Sequence, residues 1–258
     1  MNVLRAALGN GAKRVVVTSS ASTRYQPGGA LANEDSPAIG HEIVPDSYVR
    51  SKVLEEKAIT EFAHRTGLDV VVILPGGLFG PRDALPSLIG RAIVARLHGD
   101  PTAGVGFPGT IPFVDVRDVA RAHVRAMEIK NPRESYLVVA EMLEMAEWNR
   151  ILDRVTGIPV KSRIVPVNLA MPMAIAFEAV AWLTRKPAMM NRNTIRHTIQ
   201  QQQYDCCRAR QELGITFTDA ETTMRDMVRW FAENDYVKDE AKLTILQRTL
   251  AAADAVIA

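Results

Sequence analysis

The chain has 258 residues, 47% of them hydrophobic, with a net charge of +2 and a mean hydropathy of -0.01. That length can bury a full core in one or two domains, and the composition is that of soluble globular proteins. Lys and Arg are scattered rather than gathered in a stripe, so nothing in the charge argues for a nucleic-acid partner. The only cysteines, Cys206 and Cys207, are adjacent and cannot build a disulfide framework, which suits a reducing cytoplasm. Residues 1–9 lack the long apolar core of a signal peptide.

Residues 2–9 read as a helix with Val3, Leu4, Ala7 and Leu8 on one stripe, ended by Gly9 and Gly11. Arg14-Val-Val-Val-Thr-Ser-Ser20 follows, a β-branched run breaking into hydroxyl residues. It reads as a buried parallel strand ending in a site. Residues 24–47 form a long polar connection with several Pro and Gly, and a loop of that length is more often functional than idle. A helix is expected from about Tyr48 to Arg65, with Leu54, Ala58, Ile59 and Phe62 facing inward, Glu55, Glu56 and Lys57 outward, and a stop at Gly67. Asp69 to Leu74 is a second buried strand, broken at its carboxyl end by Pro75-Gly76-Gly77.

Gly104-Val-Gly106-Phe-Pro-Gly109 has dinucleotide-turn spacing, but Pro108 sits where a helix would start and no clear strand precedes it, so it reads as a loop. Asp115 to Lys130 is a helix capped by Asp115, with His123 among its inward residues beside Val116, Val119, Ala120, Val124 and Met127. No metal partner stands at ligand spacing from His123, and Asp115 and Asp118 suit a cap and the positive end of the helix dipole better than a metal or acid/base pair. Ser135 to Ala140 reads as a strand and Met145 to Thr156 as a helix ended by Gly157. Val165 to Leu183 is apolar and nearly long enough to span a bilayer. It contains Asn168, Pro172 and Glu178, so a helix covered by protein is expected and no integral membrane span. Asp219 to Phe231 gives an amphipathic helix with Met224, Met227, Val228 and Phe231 inside. The tail from Lys238 carries a Leu243, Leu246, Leu250 stripe that docks on the body or a partner, or frays.

If Tyr48 and Lys52 are both helical, their spacing puts phenol and ammonium on one face, one turn apart. A phenol, titrating near 10, is a poor proton donor or acceptor at neutrality, and a neighbouring cation favours its ionised form. A Ser20 hydroxyl would complete the set by bonding the substrate oxygen, with Ser19 and Ser22 as rivals.

Thr18-Ser-Ser-Ala21, Tyr48-Val-Arg-Ser-Lys52, Leu74-Pro-Gly-Gly-Leu-Phe-Gly-Pro81 and Phe113-Val-Asp-Val-Arg-Asp-Val-Ala120 stand in one order and spacing. In that arrangement the chain resembles the extended short-chain dehydrogenase/reductase family, in its NAD-dependent epimerase/dehydratase and dihydroflavonol reductase-like branch. The resemblance runs to about Val237. It implies an α/β fold: a partial Rossmann-type parallel sheet within residues 1–160, lobe segments interleaved, a smaller and mostly helical substrate lobe over 161–237, and a helix-prone tail over 238–258. It also implies a Ser20, Tyr48, Lys52 triad, with Tyr48 as general acid/base, Lys52 stabilising the phenolate and bonding the nicotinamide ribose, and Ser20 orienting the substrate oxygen.

Thr18, Tyr48, Lys52, Pro75, Gly77 and Leu78 would bind the NAD or NADP cofactor, Gly77 letting the ring approach, and Arg82 and Asp83 would face the substrate. The expected reaction is NAD(P)-dependent oxidoreduction or epimerisation of a nucleotide sugar or small ketone or alcohol, by a cytoplasmic homodimer. Membrane-bound steroid dehydrogenases also resemble this branch, which leaves peripheral association open. In this family the strand beginning at Arg14 is not the first. Neither G-x-G-x-x-G nor G-x-x-G-x-x-G occurs between a strand and a helix in this sequence. At about 30 residues per βαβ unit, roughly a hundred residues would stand before it in a complete member. The expectation is therefore a truncated chain that alone binds NAD(P) weakly, with the glycine-rich turn encoded upstream; the rival is a non-catalytic fragment or binding module.

Overall fold

The computed structural model describes residues 1–40, 46–100, 102–185, 192, 195 and 201–257. The chain forms two compact units, one of Met1–Leu78, Pro112–Met142 and Gln202–Phe217, the other of Phe79–Ile111, Leu143–Gln201 and Thr218–Ala258.

The first unit is built on a parallel sheet in the order β1 (Arg14–Thr18), β3 (Asp69–Pro75), β7 (Ser135–Val138), with Arg14 beside Asp69 and Val72 beside Ser135. Both faces are covered, which is why the strands are apolar without interruption. Val72 and Leu74 pack with Leu4 of α1 (Asn2–Gly9) and Ile59 and Phe62 of α2 (Ser47–Thr66). Val71 and Ile73 face the other way, onto Val119, Ala122 and Ala126 of α4 (Val116–Glu128) and Ala209 of α7 (Cys207–Glu212). Among the described residues β1 pairs only with β3. Its outer edge opens onto a groove of about 410 Å³ lined by Leu4, Val15, Val17, Thr18, Glu55 and Ile59, among others.

Three expected helix faces shift. In α1 only Leu4 is buried, while Val3 and Leu8 are exposed. In α2 the inner stripe is Val49, Val53, Glu56, Ile59 and Phe62, so Leu54 is exposed and Glu56 buried. In α4 it is Asp118, Val119, Ala122 and Ala126, with Val124 and Met127 exposed. In each case a small rotation of the stripe lets the residues nearest the strands fill the interface. Helix α2 ends where expected, on Gly67 at φ 72, a left-handed cap that a side chain would strain.

The second unit is mostly helical. Its helix α5 (Met145–Thr156), ended by Gly157, packs on α8 (Ala220–Glu233) and α9 (Glu240–Ile257). Leu246 and Leu250 are buried, so the tail docks on the body. Met224, Met227, Val228 and Phe231 are buried as their spacing requires. The Gly104 to Gly109 stretch opens no helix: β5 (Val105–Gly106) pairs in parallel with β9 (Arg163–Ile164). The apolar helix α6 (Val167–Thr184) departs from expectation, since among its residues only Ala170 and Ala174 are buried.

Candidate active site

The carboxyl ends of β1 and β3 lie at one end of the parallel sheet. Helix α2 returns the chain to the start of β3, so its amino end stands at that same end, where open α/β sheets bind ligands. Asp46 caps α2 by accepting from the backbone N–H groups of Tyr48 (2.8 Å) and Val49 (3.0 Å), which fixes Tyr48 in the first turn. The Tyr48 side chain is held open: the residue is 56% exposed, and among the described residues its phenol has no hydrogen-bond partner. One turn on, the Lys52 ammonium is half-buried and 2.8 Å from Glu55 Oε2.

Ser20 sits just beyond β1 and caps a short 3-10 turn (Ala21–Arg24), its Oγ accepting from Ser22 N–H at 3.3 Å and lying 2.8 Å from Ser22 Oγ. Its rival Ser19 is buried and donates to Glu56 Oε2 at 3.5 Å, so Ser20 and Ser22 hold the accessible hydroxyls. The structure thus brings Ser20, Tyr48 and Lys52 into one unit, while no hydrogen bond joins the three among the described residues.

Thr18 is exposed and its Oγ1 is 2.7 Å from His123 Nε2. His123 Nδ1 is 2.8 Å from the Val119 carbonyl and must donate to it, so Nε2 accepts from Thr18. His123 is therefore a satisfied histidine that orients a residue at the strand end. Pro75 ends β3 buried and Leu78 is 41% exposed. At Gly76 the backbone runs close to a neighbour: a Cβ there would stand 2.5 Å from the Pro112 carbonyl oxygen. In the second unit, Arg82 is exposed at φ 71. Both Asp83 carboxylate oxygens accept from Ser87 N–H, which starts α3 (Leu88–Leu97). Asp115 caps α4 and binds the Arg117 guanidinium, and Asp118 pairs with Arg121, so this acidic pair has the structural tasks expected of it.

Beneath the serine turn lies a buried polar network that sequence reasoning missed. Arg24 pairs with Glu56 of α2 and also donates to the Glu34 carbonyl (3.3 Å) and Thr23 Oγ1 (3.1 Å). Glu34 in turn accepts from Leu137 N–H of β7 at 2.9 Å, and burial pushes its carboxyl up. Arg208 bonds Asp35 at 2.5 Å, which holds that carboxyl below its ordinary range. The connection after β1 is thereby tied to α2, β7 and α7. One signal was present in the sequence: Glu56 stands at the spacing of Val49, Val53, Ile59 and Phe62.

A parallel sheet sheathed by helices on both faces, with this site at its carboxyl end, is a Rossmann-type fold. The family model for the NAD-dependent epimerase/dehydratase family matches residues 1–139. The sterol demethylase protein B of Methylococcus capsulatus is 33% identical over 230 residues, 88% of this chain and 69% of that protein. A putative dihydroflavonol 4-reductase of Synechocystis is 29% identical over 245 residues, 93% and 70% respectively. Among solved structures, a nucleoside-diphosphate-sugar epimerase from Pseudomonas aeruginosa superposes with a TM-score of 0.71 at 27% identity, covering 90% of this chain and 70% of the other. The chain belongs to the NAD-dependent epimerase/dehydratase family, within the extended short-chain dehydrogenases/reductases.

Proposed function

We propose that this chain provides the proton-transfer half of a reductase that interconverts a ketone and an alcohol on a small polycyclic molecule, with NAD or NADP as hydride partner. The observation that carries this reading is the open phenol of Tyr48, fixed by Asp46 in the first turn of α2, one turn from Lys52 and in the same unit as the serine turn. The named activities of the two relatives covering 88% and 93% of the chain favour a polycyclic ketone over a nucleotide sugar. The residues present fit the nicotinamide end of the cofactor: Tyr48 and Lys52 offer polar groups to a ribose, and Pro75, Gly77 and Leu78 an apolar strand end. No glycine-rich strand-to-helix turn occurs in the sequence, so no residue is assigned to the pyrophosphate.

When bound, the nicotinamide supplies or accepts the hydride at the carbon. In the reducing direction the Tyr48 hydroxyl gives its proton to the carbonyl oxygen as that oxygen becomes a hydroxyl, and Lys52 stabilises the phenolate left behind. Ser20 donates a hydrogen bond to the same oxygen and holds it against Tyr48. Lys52 must swing from Glu55 to do this, and a half-buried side chain with several rotatable bonds permits it.

Tyr48→Phe is expected to abolish turnover of ring ketones while leaving NAD(P) affinity nearly unchanged, and Lys52→Met to damage both. A Tyr48→Phe rate above about a tenth of wild type would overturn the assignment, since acid/base groups contribute far more than that. The absent glycine turn and the open β1 edge favour a second reading, a chain that does not bind cofactor unaided. Titration with NADH and NADPH separates the two: affinity of roughly micromolar order would remove the second.

A further inference from the structure

Helix α6 is an anomaly of burial. Its 18 residues have a mean hydropathy of 1.4, yet Leu169, Ile175, Val180, Trp182 and Leu183 are all more than half exposed, Trp182 by 83%. Only Ala170 and Ala174 are covered, packing with Phe107 and Ile195. A helix apolar on every side belongs in a core or in lipid. The one ionisable residue within it, Glu178, has its carboxylate engaged: it accepts from Arg192 N–H and Nε, each at 2.8 Å.

Spanning is excluded by connectivity. The helix is about 27 Å long at 1.5 Å per residue, close to the thickness of a bilayer core. Ahead of it, β9 pairs with β5; after it, α8 packs on α5 with Arg154 bonding Glu221 at 2.9 Å. All four belong to the same unit, so the chain must lie on one side of a membrane. The return stretch carries Arg185, Lys186, Arg192, Arg196 and four successive glutamines from Gln200, and it is too polar for a second crossing.

Charge selects the occupant. Among the described residues flanking α6, Lys161, Arg163 and Arg185 are exposed, while the single carboxylate, Glu178, is paired with Arg192, in a chain whose net charge is only +2. An identical patch on a second copy would be repelled, whereas an anionic lipid surface would be attracted. In the sequence Trp182-Leu183 stands one residue, Thr184, before Arg185-Lys186, the order in which an aromatic ring meets the headgroup boundary and cations meet phosphates.

We propose that α6 is a monotopic anchor that lays its exposed apolar side into the surface of an anionic phospholipid bilayer, with Arg185 on the lipid phosphates. The test is co-sedimentation of the purified full chain with phosphatidylcholine vesicles, with and without phosphatidylglycerol, at low and high salt. Binding is expected only with phosphatidylglycerol and is expected to fall with salt. Trp182→Gln with Leu183→Gln should abolish it, and Arg185→Gln should weaken it about fivefold. Trp182, Leu183 and Arg185 are all exposed, so unchanged urea midpoints serve as the folding control. Absence of binding to the anionic vesicles, or binding indifferent to Trp182→Gln with Leu183→Gln, overturns the proposal. A solution dimer split by those two substitutions overturns it as well, by assigning the face to a second copy.

Discussion

Replacing Glu56 tests whether the network under the serine turn holds the site together. The side chains of Arg24 and Glu56 are only 9% and 11% exposed, so water compensates little for a lost partner. Removing one member of a buried pair costs about 3–5 kcal/mol, because the other charge stays behind unpaired. That range is expected for Glu56→Ala. Glu56→Gln keeps the shape and one acceptor, and Arg24 keeps the Glu34 carbonyl and Thr23 Oγ1, so about half that cost is expected. Arg24→Met combined with Glu56→Leu should recover most of the loss, since no buried charge then lacks a partner. The choice of assay matters. Trp148, Trp182 and Trp230 all lie in the second unit, so tryptophan fluorescence would not report on this change. Native-state hydrogen exchange at the amides of Val71 to Leu74 reads the first unit directly. A Glu56→Ala loss below about 0.5 kcal/mol there, the size of an ordinary surface substitution, would refute the reasoning.

Two further outcomes follow from the same unit. Gly76→Ala places a Cβ 2.5 Å from the Pro112 carbonyl oxygen, backbone against backbone, and is expected to cost about 1–3 kcal/mol in the same exchange experiment; an unchanged value would show that the strand end yields freely. Burial pushes the Cys206 thiol up to about 12 from 9.0 and also raises the Tyr204 phenol. The folded state therefore keeps protons that the unfolded chain releases, and stability falls as pH rises through the window from 9.0 to about 12. Between pH 9 and 10 the Cys206 thiol should remove about 1 kcal/mol, the Tyr204 phenol adding its share mainly above its ordinary 10.0, and Cys206→Ala should flatten the urea-midpoint profile in that first window. A parallel profile for the variant would refute that account.

The local elements were legible in the sequence because each is set by neighbours along the chain. The valine runs of β1 and β3, the Asp115 cap, the Gly67 and Gly157 stops and the Tyr48 to Lys52 spacing depend on periodicity and on residues that tolerate one backbone conformation. What the tertiary structure alone decided are the choices among equivalent faces and partners. Glu56 reads as a solvent charge until Arg24, thirty-two residues earlier, folds under it. Gly76 has no special place in the sequence until Pro112 passes against it. Val165 to Leu183 reads as a covered helix until the fold leaves most of it bare. Periodicity states that a helix has an apolar side, but which surface meets that side depends on contacts distant in the chain, and no local pattern encodes them.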